Sequence, residues 1–99
     1  MVILVSMAFY CYILECSNGS YYTGWSKDPF RRLKQHNAGR GAAYTRMHLP
    51  VKLVYFEEQP DQLSAMKREV QIKRWTHQRK QDLIASKSLD SEISTSGTT

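Results

Sequence analysis

Two tyrosines, an arginine and a histidine in the first part of the chain are residue types that can act on a phosphodiester. Tyr12 and Tyr22 lie in two aromatic segments, and Arg32 and His36 follow four residues apart, about one helical turn. The planar guanidinium of an arginine matches the oxygens of a phosphate. The pKa of a tyrosine is ordinarily about 10, so a phenol becomes a base only where neighbouring cations lower that pKa. These residues therefore indicate a phosphate-handling site in which a tyrosine takes a proton from water.

A lone carboxylate in the second long helix could complete such a site. At about 100° per residue, Glu69 falls between two apolar edges and points towards the core side of its helix. One edge comprises Leu63, Met66 and Val70, and the other comprises Ala65 and Ile72. Because an unpaired buried carboxylate is costly, two interpretations stay open. Glu69 forms an i, i+4 ion pair with Lys73, or it binds a hard divalent cation, Mg²⁺ or Mn²⁺, together with a substrate phosphate.

The two tyrosines are positioned by a predicted hairpin. Residues 8–15 have the aromatic and aliphatic pattern of a buried strand, an Asn-Gly pair follows as a strong hairpin signal, and residues 20–25 form the returning strand. Whether Tyr12 and Tyr22 share a face of the sheet depends on the hairpin register, which the residues leave open.

A helix is predicted to start at Pro29, which suits the first helical position, and to end near residue 37. Phe30 and Leu33 are expected to supply its buried face, with Arg32 and His36 on the flank. Four further elements are predicted: a basic loop over residues 38–49 with one helical turn within 42–46, a strand over 51–56, a long helix over 62–75 and a short helix over 78–85.

Length and composition are those of one small folded domain. The chain has 99 residues, 41% of them hydrophobic, and a net charge of +5, which favours a polyanionic partner, nucleic acid first. Cys11 and Cys16 would point to opposite faces of a strand, which favours reduced thiols and a cytoplasmic location, and no membrane segment is expected.

We expect three segments: an N-terminal extension over residues 1–7, with Met7 as an alternative start, a domain over 8–85 and a disordered Ser/Thr-rich tail over 86–99.

The order and spacing of these motifs resemble the GIY-YIG nuclease superfamily, in particular its small stand-alone bacterial members. The family's arginine-bearing helix and metal-binding glutamate correspond to Arg32 and Glu69, and residues 43–46 and 50–55 also look like this branch. The paired motif is present as Cys11-Tyr12-Ile13 and Tyr22-Thr23-Gly24. The resemblance covers roughly residues 8–85, nearly the whole predicted domain.

The resemblance implies an α/β (α+β) fold, a small three-stranded antiparallel sheet flanked by helices, and a one-metal phosphodiesterase mechanism. Tyr12 and Tyr22 would line the site, with Tyr22 favoured as the general base. Arg32 would hold the scissile phosphate, His36 would assist with proton traffic or phosphate contact, and Glu69 would bind one Mg²⁺ or Mn²⁺. Basic and polar residues beside this site and in the following loop are the predicted nucleic-acid contacts: Lys27, Arg31, Lys34, Arg40, Tyr44, Thr45 and Arg46.

The chain departs from the family's pattern at a few positions. Cys11 and Thr23 replace motif residues that do not supply the proposed chemistry. Lys27 could stand in for a lysine that several members carry after the second motif, whereas for their asparagine in the final helix only Gln78 and Gln81 are available.

Three functions are consistent with these residues. The first is a Mg²⁺- or Mn²⁺-dependent DNA endonuclease, acting on branched, flapped or single-stranded DNA in repair or recombination, with a protein partner that adds DNA-binding affinity. The second is a non-catalytic nucleic-acid-binding module that uses the same basic face, and the third is a partner-docking domain that has lost the chemistry.

Overall fold

The computed structural model describes residues 8–96, with side chains described up to residue 87. In chain order the elements are β1 (Phe9–Glu15), β2 (Tyr21–Ser26), α1 (Pro29–Asn37), α2 (Ala43–Arg46), β3 (Lys52–Gln59), α3 (Gln62–Lys73) and α4 (His77–Ser96). The predicted N-terminal extension lies outside the described residues. Among the described helices, none has the length and apolarity needed to cross a membrane.

The three strands form one antiparallel sheet in the order β2-β1-β3, which confirms the predicted fold class. The register of the hairpin pairs Tyr12 with Gly24 and Leu14 with Tyr22. Because directly paired residues of an antiparallel ladder lie on the same face, Tyr12 and Tyr22 share one face of the sheet. The question that the sequence left open is thus answered by the register.

Helices cover both faces of the sheet and divide the core into two clusters. On one face, α3 and α4 pack over a cluster that is completed by Trp75, Leu83 and Ile84; its buried members are Cys11, Ile13, Tyr55 and Ile72. On the other face, α1 and the segment after it contribute Leu33 and Leu49; the buried members there are Tyr12, Leu14, Cys16 and Val51. The two cysteines are free and buried, one in each cluster.

Helix α1 has the predicted bounds but buries different residues. The Asp28 carboxylate caps it by accepting the backbone N–H of Arg31 at 3.1 Å, and Pro29 is the first helical residue. Phe30, expected in the core, is 59% exposed and packs edge-on against Phe56. His36, expected on the flank, is wholly buried. The prediction for His36 was wrong because the polar partners that satisfy its buried imidazole are distant in sequence.

Helix α3 also buries a narrower face than predicted. Ala65 and Ile72 are buried, whereas the second predicted apolar edge is solvent-exposed; it comprises Leu63 at 60%, Met66 at 41% and Val70 at 47% exposure. Glu69 lies between the two edges, so its carboxylate is at the margin of the core and not inside it. The sheet is only three strands wide, so a single side of α3 packs against it.

Helix α4 is longer than the predicted short helix. It runs from His77 to Ser96, so residues 86–96, expected to be disordered, continue the helix. The reason is local, because no glycine or proline occurs in this stretch to stop a helix. Residues 97–99 lie outside the described part, and the division of the chain into segments stays a prediction.

One side chain fixes the end of α1 to the start of the third strand. The amide of Asn37 donates to the carbonyl of Val51 at 2.9 Å and accepts the backbone N–H of the same residue at 2.8 Å. This two-way hydrogen bond holds α1 against the sheet on the face that carries Tyr12.

Candidate active site

An open cleft of about 470 Å³ lies where β1, β2, α1 and α3 meet. Four of the five predicted catalytic and metal-binding residues line it: Tyr12, Tyr22, Arg32 and Glu69. The other lining residues are Phe9, Gly24, Trp25, Ser26, Lys27 and Gln62. The fifth predicted residue, His36, lies behind Tyr12 in the core and is not among the lining residues.

A chain of hydrogen bonds runs from the cleft into the core through the imidazole of His36. The hydroxyl of Tyr12 is 2.9 Å from Nε2 of His36, and Nδ1 of His36 is 2.8 Å from Oγ1 of Thr45. Oγ1 of Thr45 donates its single proton to the carbonyl of Ala42 at 2.9 Å. All three side chains are nearly or wholly buried, with exposures of 1% for Tyr12 and 0% for His36 and Thr45.

The direction of this chain assigns the tautomer of His36. Because the hydroxyl proton of Thr45 is given to Ala42, its oxygen must accept from His36, which places the imidazole proton on Nδ1. Nε2 is then an acceptor, and Tyr12 donates to it. The Tyr12 oxygen can then accept a further hydrogen bond, and the Arg32 guanidinium lies close to it.

The pKa values of both groups agree with this neutral arrangement. Burial raises the pKa of Tyr12 to about 12, against the opposing effect of the Arg32 guanidinium. Burial and then the charge of Arg32 lower the pKa of His36 to about 4. At neutral pH the proton therefore stays on the phenol, and the imidazole stays uncharged.

Two glycines make room for these rings. A β-carbon at Gly24 would lie 2.5 Å from the hydroxyl oxygen of Tyr12. A β-carbon at Gly41 would overlap the imidazole of His36. Gly24 thus lets the backbone approach the Tyr12 hydroxyl, and Gly41 lets it approach the imidazole of His36 on its Nδ1 side.

Tyr22 occupies a different environment from Tyr12. Its side chain is half-buried at the cleft, with the ring edge-on to His36 at 5.2 Å between centroids. Nζ of Lys73 lies 6.0 Å from the centroid of the Tyr22 ring. Tyr22 is therefore the tyrosine that is accessible from the cleft and has a lysine beside it.

The structure contains the ion pair of the first interpretation of Glu69, and metal binding by this carboxylate stays a prediction. Nζ of Lys73 donates to Oε1 of Glu69 at 3.0 Å, and the carboxylate side chain is 19% exposed and lines the cleft. Within the described residues, no group of three or more His, Cys, Asp or Glu side chains is placed to hold a metal ion. A single carboxylate in an open cleft fits a hard cation such as Mg²⁺, which keeps several waters and takes its other ligands from a phosphate.

The predicted nucleic-acid contacts fall into four groups. Lys27 lines the active-site cleft, and Arg31, Lys34 and Arg40 line a second cleft next to it. Arg46 is exposed. Tyr44 and Thr45, in the segment that follows α1, make hydrogen bonds within the protein.

Tyr44 is 42% exposed, and its hydroxyl donates to Oγ of Ser20 at 2.6 Å. Thr45 corrects the prediction: a wholly buried side chain cannot touch nucleic acid, and its hydroxyl instead holds His36.

Sequence reasoning missed Gln62 and Gly41. Gln62 lines the cleft at the start of α3, seven residues before Glu69, and this two-turn spacing on one helix face could have revealed it. The amides considered earlier, Gln78 and Gln81, are exposed on α4 and do not line the cleft. No local signal marks Gly41, because its contact is with a ring whose burial depends on the tertiary fold.

A separate groove of about 420 Å³ runs beside β3 but offers little chemistry. Its lining is apolar or aromatic apart from Lys52 and Lys87. Without a carboxylate, an imidazole or an arginine, the groove lacks the groups that the first cleft combines.

Comparison with known proteins assigns a family to this arrangement. The family model of the GIY-YIG catalytic domain matches residues 8–82. The UPF0213 protein CPE1444 of Clostridium perfringens is 49% identical over 83 residues, which cover 84% of this chain and 89% of that protein. The UPF0213 protein HQ_3675A of Haloquadratum walsbyi is 50% identical over 74 residues, covering 75% of this chain and 83% of that protein.

Two solution NMR structures share the fold. The UPF0213 protein BH0048 of Bacillus halodurans is 42% identical with a TM-score of 0.53, covering 82% of this chain and 86% of that one. The protein EF2693 of E. faecalis is 35% identical with a TM-score of 0.57, covering 85% and 90% of the two chains. The match to the family model spans both cleft tyrosines, the arginine of α1 and the glutamate of α3, and the chain belongs to the GIY-YIG nuclease family.

Proposed function

We propose that this protein is a divalent-metal-dependent endonuclease that hydrolyses phosphodiester bonds of DNA. The observation that carries the proposal is the convergence of Tyr12, Tyr22, Arg32 and Glu69, distant in sequence, on one open cleft. The cleft combines a phosphate-binding guanidinium, two phenols of different accessibility and one carboxylate. Hydrolysis of a phosphodiester requires this combination of a proton acceptor and positive charge around the phosphate.

In this proposal Arg32 binds the non-bridging oxygens of the scissile phosphate. Tyr22, as its phenolate, takes a proton from a water molecule while the water oxygen forms a bond to phosphorus and the bond to the leaving oxygen breaks. Tyr12 accepts a hydrogen bond from the other O–H of that water and so orients the water molecule. Glu69 would hold Mg²⁺ or Mn²⁺, and the bound cation would supply positive charge for the phosphate and the leaving oxygen.

His36 acts on Tyr12 and not on the phosphate. Its buried Nε2 accepts a hydrogen bond from the Tyr12 hydroxyl, which leaves the lone pairs of that oxygen to accept a hydrogen bond from water. We therefore assign His36 as a positioning residue, in place of the direct phosphate contact considered from the sequence.

The test is cleavage of flapped, branched, single-stranded and plasmid DNA with Mg²⁺ or Mn²⁺. Removal of one group that acts only in the transition state costs roughly 10²-fold or more in rate, so we expect Glu69→Gln and Tyr22→Phe each to lose at least that much. Glu58→Gln, on an exposed carboxylate of β3, is the matched control and should retain the wild-type rate. The proposal fails if the wild-type protein cleaves none of these substrates faster than Glu69→Gln with either metal.

A second candidate function is nucleic-acid binding without catalysis. It is favoured by the cations that line the two adjacent clefts: Lys27, Arg31, Arg32, Lys34 and Arg40. Under this function, DNA binding that weakens with salt would persist in Glu69→Gln, and no metal would produce cleavage.

The cellular setting is proposed on chemical grounds. Two free buried thiols suit the reducing cytoplasm. We place the activity in DNA repair or recombination on branched or flapped substrates, with a partner protein that adds affinity. Co-purification with a DNA repair protein would support the last point, and tight binding of such DNA by the isolated chain would remove the need for it.

A further inference from the structure

A second cleft of about 380 Å³ lies next to the active-site cleft, along α1 and the loop after it. Its lining residues are Arg31, Arg32, Lys34, Gln35 and Arg40. Arg32 lines both clefts, so the two are adjacent across a single side chain. We call this second cleft the phosphate cleft.

The phosphate cleft is built of cations without a carboxylate in its lining. In the described part of the chain, the ion pairs join Arg68 to Glu57 and Lys73 to Glu69, so none involves a residue of this cleft. Nη1 of Arg32 donates to Oε1 of Gln35 at 3.0 Å, which orients the guanidinium between the clefts. Four like charges around one concave surface repel one another, and an anion bound among them would relieve that repulsion.

We propose that the phosphate cleft binds the phosphate of the nucleotide next to the scissile bond. The DNA strand then passes from the Glu69 side of the active-site cleft, across Arg32, into the phosphate cleft. This inference rests on the proposed nuclease function and adds a substrate requirement to it. The strand must continue past the cleaved bond on one defined side, so a phosphodiester at that end of a strand is a poor substrate.

The first measurement is binding of single-stranded DNA, which needs no catalysis. In the Glu69→Gln background without metal, Lys34→Ala/Arg40→Ala should weaken binding about tenfold or more and lower the slope of log K against log salt by up to about 1.4, for two contacts at about 0.7 each. The matched control is Lys67→Ala/Lys80→Ala, which also removes two positive charges but outside both clefts. Its salt slope should stay close to that of the parent protein.

The second measurement uses oligonucleotides in which one phosphate is replaced by an uncharged methylphosphonate. A methylphosphonate on one side of the cleaved bond should raise the KM of wild-type cleavage, whereas a methylphosphonate on the other side should leave KM unchanged. In Lys34→Ala/Arg40→Ala, the same methylphosphonate should raise KM little further, because the interaction with that phosphate is already lost.

The outcomes separate the two proposals. Suppose that the wild-type protein cleaves DNA but Lys34→Ala/Arg40→Ala binds and cleaves like the control pair. The proposal that the phosphate cleft binds a neighbouring phosphate is then wrong, and the nuclease function stands. If no substrate is cleaved yet binding depends on Lys34 and Arg40 and not on the control lysines, the nuclease function is wrong and the cleft binds phosphate in a binding module.

Discussion

The imidazole of His36 is held in one protonation state and one tautomer by its neighbours. Thr45 accepts from Nδ1, Tyr12 donates to Nε2, and Gly41 leaves space for the ring. Because each of these contacts is buried, the orientation of the Tyr12 hydroxyl in the cleft is determined from inside the core. At the scale of single residues, the site can therefore be altered without touching the cleft.

The substitution Thr45→Val tests this arrangement. It removes the acceptor for the Nδ1 proton and leaves a buried donor unsatisfied, so we expect a loss of about 1–3 kcal/mol in the free energy of unfolding. The ¹⁵N chemical shifts of the His36 ring should report protonation at Nδ1 in the wild-type protein and a mixture of tautomers in the variant. Thr45→Ser keeps the hydroxyl and should restore the wild-type shifts; a variant spectrum that matches the wild type would contradict the assignment.

The lowered pKa of His36 makes stability depend on pH. The folded protein binds this proton only below about pH 4, whereas the unfolded chain binds it below about pH 6.5. The contribution of neutral His36 to the free energy of unfolding is therefore fully present above pH 6.5. It is lost as the pH falls towards 4, by up to about 3 kcal/mol. Urea unfolding at a series of pH values should show this decline, and His36→Gln should show less of it. A decline in His36→Gln as large as that of the wild type would contradict this assignment.

At the scale of elements, the position of α1 depends on the paired hydrogen bonds between Asn37 and Val51. Asn37→Ala removes both and leaves the N–H and C=O of Val51 without these partners. We expect a loss of about 1–3 kcal/mol in the free energy of unfolding. Denaturant unfolding measures it, and Gln81→Ala, on an exposed face of α4, is the control with an expected change within about 0.5 kcal/mol. Equal stability of the two variants would show that Asn37 does not anchor the helix.

The elements were largely predictable from the sequence because their signals are local. The Asn-Gly pair marks the hairpin turn, and Pro29 marks the start of α1, each within a few residues. What each helix buries was not predictable, because it depends on the partner surface. Phe30 was expected in the core and is exposed, while His36 is buried since Tyr12 and Thr45, distant in sequence, satisfy both ring nitrogens.

The whole molecule brings a single carboxylate into a surface lined by cations. Within the described residues, Glu69 is the one acidic residue that lines the two clefts. Five lysines and arginines also line them. Without metal, its negative charge should repel a DNA backbone. We expect Glu69→Gln to bind single-stranded DNA several-fold more tightly than the wild type in EDTA at low salt, as measured by fluorescence anisotropy.

The control for this electrostatic effect is Glu58→Gln, which removes an exposed charge of β3 outside both clefts. It should change the affinity much less. Addition of Mg²⁺ should bring the wild type closer to Glu69→Gln, because the cation offsets the carboxylate. Identical affinities of Glu69→Gln and the wild type in EDTA would show that the carboxylate is too distant from the bound DNA to matter.

Much of the candidate site could be selected from the sequence by residue chemistry. Glu69 was selected because a carboxylate between two apolar helix edges needs a partner, and the structure gives it both the cleft and Lys73. The relation between the tyrosines required the strand register, and Gln62 entered only through the placement of α3 at the cleft. Long-range packing, which no short motif encodes, supplied these parts.

Under the proposed nuclease function and the proposed phosphate site, the position of Arg32 between the two clefts has a consequence for turnover. An intact strand that spans both clefts is held at two linked points, so its overall affinity exceeds that of either contact alone. Hydrolysis between those points separates the strand into two fragments, each held by one cleft only. The fragments then dissociate independently, and the same geometry that captures a long strand releases its products.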